Sequence, residues 1–137
     1  MRLTVPKLDY EAEVNRIVRF VRKVVEEAKA SGVVVGLSGG VDSTLAATLC
    51  VRALGKERVL GLLMPAAFTP EQDVKDAQEL AGWLGIRTEF INIDEISGAF
   101  FKELRCDPKD PKQRIPMANV RARIRMVLLY YYANLHN

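Results

Sequence analysis

The chain has 137 residues, of which 49% are hydrophobic and 27% are charged, with a formal net charge of +3. This length suits one domain with a real core, and the small basic excess suits an anionic ligand without requiring nucleic acid. The apolar runs are too short to cross a membrane, and Met1–Pro6 lacks the apolar core of a signal peptide. Cys50 and Cys106 form neither a CxxC pair nor a disulfide framework, so a cytoplasmic location is expected.

The first predicted helix spans about Asp9–Lys29. Its apolar residues recur at spacings of three and four, and arginines, lysines and glutamates occupy its other faces. The stripe predicts a helix that packs on a core, and a helix in a subunit interface would carry the same pattern. Ser31-Gly32 is expected to end this helix.

A strand, a two-glycine turn and a helix follow one another in the next part of the chain. The strand, Val33–Leu37, has no polar alternation, so both of its faces are expected to be buried, as in a parallel sheet. The helix is expected from Ser43 to Leu54. Between them the glycines allow close approach of an anion, and the helix start offers unpaired N–H groups and a positive dipole end. The segment is therefore predicted to bind phosphate, and its six residues read Ser38-Gly39-Gly40-Val41-Asp42-Ser43.

Asp42 adds a divalent cation to this prediction. A phosphate at the helix start would lie beside the Asp42 carboxylate, and two anions at one helix end repel each other unless a cation bridges them. Mg²⁺ is favoured, because it takes a carboxylate together with phosphate oxygens. The plainer alternative is a tight turn in which Asp42 is the helix N-cap. The loop is not a Walker A motif, since no Gly-Lys-Ser/Thr follows the glycines.

The rest of the chain continues to alternate strands and helices, which predicts an α/β doubly wound parallel sheet with helices on both faces. Thr69-Pro70-Glu71-Gln72 matches a capping box that opens a helix, and Gly55 and Gly85 are expected C-caps. The loop before the last helix is either ligand-gated or a solvated connector. The predicted segments are strands Val59–Met64 and Thr88–Asn92, helices Thr69–Leu84, Asp94–Leu104 and Met117–Leu135, and the loop Arg105–Pro116.

Three arginines lie close together in the last predicted helix. At about 100° per residue, Arg121 and Arg125 share one face, whereas Arg123 lies roughly 160–200° away from both. They therefore cannot share one task. The functional interpretation is recognition of phosphate or carboxylate groups, and the alternative is a solvated helix with ordinary ion pairs.

The loop resembles the pyrophosphate loop of the N-type ATP pyrophosphatases, in which Ser-Gly-Gly-x-Asp-Ser follows an apolar strand. Within that superfamily, the stretch Asn119–Tyr130 is similar to the Asn-x-x-Ala-Arg-x-Arg-Met segment of the NAD synthetases. The spacing from the loop is also similar, as is Gly61–Pro65 followed by Asp76-Ala77. The similarity extends over nearly the whole chain.

This resemblance implies ammonia-dependent amidation of deamido-NAD to NAD with ATP and Mg²⁺. The nicotinate carboxylate would attack the α-phosphate of ATP, and ammonia would then displace AMP from the adenylate. The resemblance implies that Asp42 holds the metal, that Arg123 contacts deamido-NAD, that no side chain acts as a nucleophile, and that the enzyme is a homodimer. The implied ATP-binding residues are Gly36, Leu37, Ser38, Gly39, Gly40, Val41, Asp42 and Ser43.

The resemblance also implies that 1–137 is a single ATP-pyrophosphatase domain, incomplete at its C-terminal side. The family pattern continues into a fourth strand, a Gly-Thr or Gly-Ser turn and a metal-binding Glu, all absent from this sequence. The chain is therefore expected to be inactive alone. The alternatives are another enzyme of the superfamily, such as a GMP synthetase subunit or a tRNA-modifying enzyme, and a non-catalytic adenylate-binding module.

Overall fold

The computed structural model describes residues 7–137, so the expectation that Met1–Pro6 lacks the core of a signal peptide falls on residues outside the described part. None of the helices in the described part is long and apolar enough to cross a membrane. In chain order the elements are α1 (Tyr10–Glu27), β1 (Val33–Gly36), α2 (Val41–Leu54), β2 (Val59–Leu63), α3 (Glu71–Leu84), β3 (Arg87–Phe90), α4 (Asp94–Glu103) and α5 (Arg114–His136), with single 3₁₀ turns at Lys56–Arg58 and Pro111–Gln113.

The strands form a parallel sheet in the order β1-β2-β3. This confirms the predicted parallel sheet, in which β2 and β3 both lie to one side of β1. The prediction that β1 is buried on both faces is wrong, since its residues are only half-buried. The reason is that, within the described residues, β1 has a neighbouring strand on one side only. The central strand is β2, and all five of its residues are buried.

Helices cover both faces of the central strand, as predicted for a doubly wound sheet. One face of β2, including Val59 and Leu63, packs against Ala47 of α2 and Ala77 and Ala81 of α3. The other face packs against α5 and the segments that follow β2 and β3. Its buried cluster comprises Leu60, Leu62, Met64, Ala66, Ile93 and Ile124.

Gly61 in the middle of β2 makes room for the side chain of Leu37, the residue that precedes the glycine loop. A Cβ atom at Gly61 would lie 2.7 Å from Leu37 Cδ1, too close for any real contact. Leu37 is only 5% exposed, and its backbone N–H donates to the carbonyl oxygen of Leu62 at 2.8 Å. The glycine loop therefore begins directly after Leu37, a residue that is held in place by burial and by a backbone hydrogen bond.

The predicted helix ends are partly confirmed. Gly55 and Gly85 are the C-caps of α2 and α3, with φ of 85° and 66°. By contrast, α1 ends at Glu27 rather than at Ser31-Gly32. Lys29 adopts φ 52° just after it, which lets the Ala30 N–H donate to the Val25 carbonyl in the pattern of a Schellman motif.

The capping box predicted at Thr69–Gln72 is wrong. The N-cap of α3 is Pro70, which makes no side-chain capping bond. The Thr69 hydroxyl instead accepts a hydrogen bond from the Ala66 N–H at 3.0 Å, so it closes the turn before the helix. A serine or threonine hydroxyl that serves a preceding turn is unavailable to the helix.

Other boundaries differ by a few residues. The third strand occupies Arg87–Phe90 rather than Thr88–Asn92, because Asn92 turns the chain and its Oδ1 accepts from the Asp94 N–H. The last helix begins at Arg114 rather than Met117, and Pro116 fits within its first turn, where no backbone donor is needed. The preceding loop is consequently shorter than predicted, and whether it responds to a ligand stays a prediction.

Candidate functional site

Gly39 in the loop between β1 and α2 has a backbone conformation and surroundings that only glycine fits. Its φ of +81° lies in the left-handed region, and a Cβ atom there would lie 2.3 Å from the carbonyl oxygen of Asp73. Asp73 belongs to the first turn of α3. The loop after β1 is thus pressed against the start of α3, the helix that follows the neighbouring strand.

Hydroxyl groups tie the loop to the start of α2. The Ser43 hydroxyl donates to the Gly40 carbonyl at 3.0 Å and lies 3.0 Å from the Ser38 hydroxyl. It also accepts from the Ser38 N–H at 3.2 Å, while the Gly40 N–H donates to the Ser38 hydroxyl at 3.3 Å. The Thr44 hydroxyl donates to the same Gly40 carbonyl at 2.9 Å. These bonds connect the loop to the first turn of α2 through side chains of the loop and helix themselves.

The first turn of α2 leaves backbone donors free at the loop. Gly40 is the N-cap and provides no side-chain capping bond. Within residues 7–137, no acceptor faces the backbone N–H groups of Val41, Asp42 and Ser43. Three unpaired N–H groups at the positive end of a helix dipole have the geometry and the electrostatics to accept hydrogen-bonding oxygens of an anion.

Asp42 is not the N-cap, so that alternative is wrong. The helix begins at Val41, two residues before the predicted start at Ser43, and Asp42 lies in its first turn with an exposed side chain. No three His, Cys, Asp or Glu side chains cluster anywhere in 7–137 in a way that could hold a metal ion by themselves. A cation at the Asp42 carboxylate would therefore take its remaining oxygen ligands from water or from a bound anion.

A cavity of about 460 Å³ adjoins the loop at the carboxyl ends of β1 and β2. Its floor includes Gly36–Ser38 and Leu63–Pro65, and α3 and α5 supply its sides. In an open parallel α/β sheet, ligands bind at this edge. The remaining lining residues are Phe68, Thr69, Pro70, Asp73, Val74, Ala77, Arg125 and Leu129.

Arg125 is the arginine that reaches this cavity. Its Nε donates to the Met64 carbonyl at 3.0 Å, which fixes the half-buried guanidinium at the end of β2. Burial lowers the pKa of Arg125, and the nearby charge of Arg121 lowers it further. Among the described residues, the salt bridges involve other side chains, so no carboxylate neutralises this charge. The cavity therefore has one positively charged wall.

The structure separates the three arginines as the helical spacing predicts. Arg121 and Arg125 are both half-buried and close enough for their charges to interact. Arg123 is exposed and does not line the cavity. The structure thus brings Gly36, Leu37 and Ser38 together with the cavity but leaves Arg123, the residue expected to contact deamido-NAD, outside it.

Sequence reasoning missed Phe68 and Asp73 of the cavity wall, and it named Arg125 only as one of three arginines that could recognise phosphate or carboxylate groups. The sequence did contain the information needed to place the segment after β2 at the cavity. Neighbouring parallel strands end at the same edge of a sheet, so Met64-Pro65 had to approach Leu37-Ser38. The identity of the facing residues on α3 and α5 depends on how those helices pack.

The two thiols contribute nothing to this site. Cys50 is half-buried on α2 and packs against the core cluster, and burial raises the pKa of its thiol, as suits a packing residue. Cys106 lies between α4 and α5 and does not line the cavity.

Comparisons with known proteins agree on one family. The sequence model of the NAD synthase family matches residues 13–137. The curated NH(3)-dependent NAD(+) synthetase of Pyrobaculum aerophilum is 48% identical over 130 residues, covering 95% of this chain and 48% of that protein. The chain thus spans about half the length of the curated relatives it matches.

Solved structures show the same fold. The NH3-dependent NAD synthetase of Campylobacter jejuni superposes with a TM-score of 0.85 at 38% identity, over 96% of this chain and 55% of that one. The NMN synthetase of Francisella tularensis superposes with a TM-score of 0.86 at 31% identity, over 96% of this chain and 52% of that one. Together with the family match over 13–137, these similarities establish that the chain belongs to the NAD synthase family.

Proposed function

We propose that this chain forms the ATP-binding part of an enzyme that amidates deamido-NAD to NAD with ammonia. Membership of the NAD synthase family favours this function over a GMP synthetase subunit or a tRNA-modifying enzyme. The observation that carries the proposal is the group of three free N–H donors beside a cavity at the strand ends. A loop that binds phosphates next to a cavity that holds a nucleoside is the arrangement a nucleotide needs.

ATP would lie across both parts of the site. Its phosphates would bind the free N–H groups at the start of α2, and its adenosine would enter the cavity between Met64 and Phe68. The cavity volume of about 460 Å³ is within the ordinary range for small-molecule sites. Proposed ATP contacts therefore extend from Gly36 to Ser43, and the cavity adds Arg125.

The loop fits a magnesium ion. The Asp42 carboxylate is exposed and stands at the same helix end as the free N–H groups, so it would be one protein ligand of an ion that also binds phosphate oxygens. When bound, Mg²⁺ neutralises charge that develops on the phosphates. The contribution of the chain is to place the carboxylate and the N–H groups on the same side of the phosphates.

The reaction needs no nucleophile from the protein. A carboxylate oxygen of deamido-NAD bonds to the α-phosphorus of ATP while the bond to pyrophosphate breaks. Ammonia then attacks the acyl carbon, AMP leaves, and the amide loses a proton to solvent. Each step is accelerated by positioning and by charge stabilisation, which the rigid loop and the helix start can provide.

Arg123 is proposed to contact deamido-NAD from outside the ATP cavity. Its exposed position on α5 leaves the guanidinium free to pair with a phosphate or carboxylate of the second substrate. We also propose a homodimer, in which exposed apolar side chains of α1 such as Phe20 and Val24 would be covered. Sedimentation of the purified protein as a monomer would contradict the dimer. A cytoplasmic location is part of the same proposal.

Titration calorimetry with the chain tests the ATP site. ATP is expected to bind more tightly with Mg²⁺ than with EDTA, and Asp42→Asn is expected to abolish that difference while retaining metal-free binding. Glu71→Gln, at the start of α3, is the matched control and should leave both affinities unchanged. Equal ATP affinity with and without Mg²⁺ in the unaltered chain would contradict the metal site.

Product analysis with the whole enzyme tests the substrate. Continued formation of AMP and pyrophosphate over many turnovers is expected only when deamido-NAD and ammonia are both present, because without ammonia the reaction stops at the adenylate. The similarity to an NMN synthetase makes nicotinate mononucleotide the second candidate substrate. If the enzyme prefers that mononucleotide, deamido-NAD is not its substrate and the proposal is wrong. No turnover with either substrate would favour a non-catalytic adenylate-binding module.

A further inference from the structure

Arg121 occupies an unusual environment beside the cavity. Its guanidinium carbon lies 4.9 Å from the centroid of the Phe68 ring and 4.7 Å from that of Phe101. Both distances are within the range of a cation–π contact. Phe68 comes from the segment between β2 and α3 and lines the cavity, whereas Phe101 belongs to α4. Arg121 on α5 thus contacts both a ring of the cavity wall and a ring of α4.

This arrangement is costly for Arg121 itself. Its Nε is buried without a hydrogen-bond partner, and none of the described carboxylates forms a salt bridge with it. A second cation, Arg125, lies four residues away on the same face, where like charges destabilise a helix. The two ring contacts offset part of this cost. Arg121 is therefore poorly explained as a residue that stabilises the fold.

Phe68 belongs to neither of the buried core clusters. Its side chain is 64% exposed, and the segment around it is tied down by only a few bonds. Ala67 N–H donates to the Asp94 carboxylate at 2.9 Å, and Ala66 and Thr69 bond to each other within the turn. These few bonds lie on either side of Phe68, and none of them involves Phe68 itself. The Phe68 ring does contact the Arg121 guanidinium.

The geometry points to Arg121 as a positioning residue that holds Phe68 against α5 and so maintains the wall of the cavity proposed to receive adenosine. Arg121 acts through Phe68 and itself contacts no phosphate. This inference rests on the proposed ATP site for its effect on binding. Its structural part, the restraint of residues 66–69, can be measured without any ligand.

Amide hydrogen exchange tests the restraint. Arg121→Met keeps the length and apolar stem of the side chain and removes the cation. We expect exchange of the amides of Ala67–Thr69 to accelerate about tenfold, with no change in β2. Arg121→Lys, which keeps the charge without the planar group, should give a smaller increase. Arg114→Met, at the exposed start of the same helix, should change nothing.

Calorimetry with two probes then tests the effect on binding. Arg121→Met is expected to weaken Mg·ATP binding about tenfold and to leave Mg·pyrophosphate binding unchanged, since pyrophosphate has no adenosine. Unchanged amide exchange in the Phe68 segment, or equal weakening of both probes, would overturn the inference. If the unaltered chain binds neither probe, the proposed ATP site fails, and the exchange measurement alone decides whether Arg121 positions Phe68.

Discussion

Gly39 and Asp73 are in backbone contact across two different strand-to-helix connections. The space at Gly39 where a Cβ atom would stand is 2.3 Å from the Asp73 carbonyl oxygen. Because Asp73 lies in the first turn of α3 and Gly39 precedes α2, the loop after β1 and the cavity wall are parts of one packed unit. A substitution in the loop is therefore expected to disturb the start of α3, and a substitution at the start of α3 is expected to disturb the loop.

Gly39→Ala tests this contact. The methyl group would be strained at φ +81° and would collide with backbone, so we expect a loss of about 2–4 kcal/mol in the free energy of unfolding and loss of measurable ATP binding. Gly98→Ala is the matched control, because Gly98 lies within α4 with open space around it. It should stabilise the protein by about 0.5–1 kcal/mol, measured by urea unfolding. A Gly39 variant as stable as the unaltered chain would contradict the structure of the loop.

Ser43→Ala tests the hydroxyl network of the loop. The substitution removes the shared partner of the Ser38 N–H, the Ser38 hydroxyl and the Gly40 carbonyl. We expect a loss of about 1 kcal/mol in stability and a weaker affinity for Mg·pyrophosphate, because the loop is less well ordered. Thr48→Val, which removes a hydroxyl bonded within α2, should leave that affinity unchanged. Equal affinities in all three proteins would show that the network has no part in anion binding.

Arg22→Met tests how α1 is attached. The Arg22 Nε donates to the carbonyl oxygen of Ala53 at 2.6 Å, so a side chain of α1 satisfies a carbonyl in the last turn of α2. We expect a loss of about 1 kcal/mol in the free energy of unfolding. Arg19→Met, an exposed neighbour on α1, should change it by less than about 0.5 kcal/mol. The idea fails if both variants unfold at the same urea concentration.

The buried thiol of Cys50 is expected to make the free energy of unfolding depend on pH. Burial raises the pKa of its thiol in the folded state above the ordinary value of 9.0. The folded state therefore retains the proton at pH values where the unfolded state loses it. The contribution is complete below the ordinary value and declines as the pH rises through it toward the folded pKa.

Urea unfolding between pH 7.5 and 10.5 measures this effect. The free energy of unfolding should fall more steeply with pH in the unaltered chain than in Cys50→Ala, and other groups that titrate in this range cancel in the comparison. Parallel curves for the two proteins would show that the thiol is not shielded from water.

Local patterns predicted the position of the loop between β1 and α2 better than they predicted the cavity. The loop depends on residues adjacent in sequence, and the helical spacing alone separated Arg123 from Arg121 and Arg125. The cavity depends on Phe68 meeting Arg121, residues 53 positions apart that approach only when α5 packs on the sheet. Thr69 misled the prediction, because a hydroxyl at that position can serve either the helix after it or the turn before it, and the turn prevailed.

The packing of Leu37 against Gly61 affects the entropy change that would accompany anion binding at the loop. With Leu37 buried at one end of the loop and Ala47 fully buried in α2, little backbone freedom remains to be lost when an anion arrives. The entropy lost on association then falls mainly on the ligand and on released water. The substitution Gly61→Ala lies outside the loop but would displace Leu37. The loop would then be less ordered before binding, and each binding event would cost more backbone entropy.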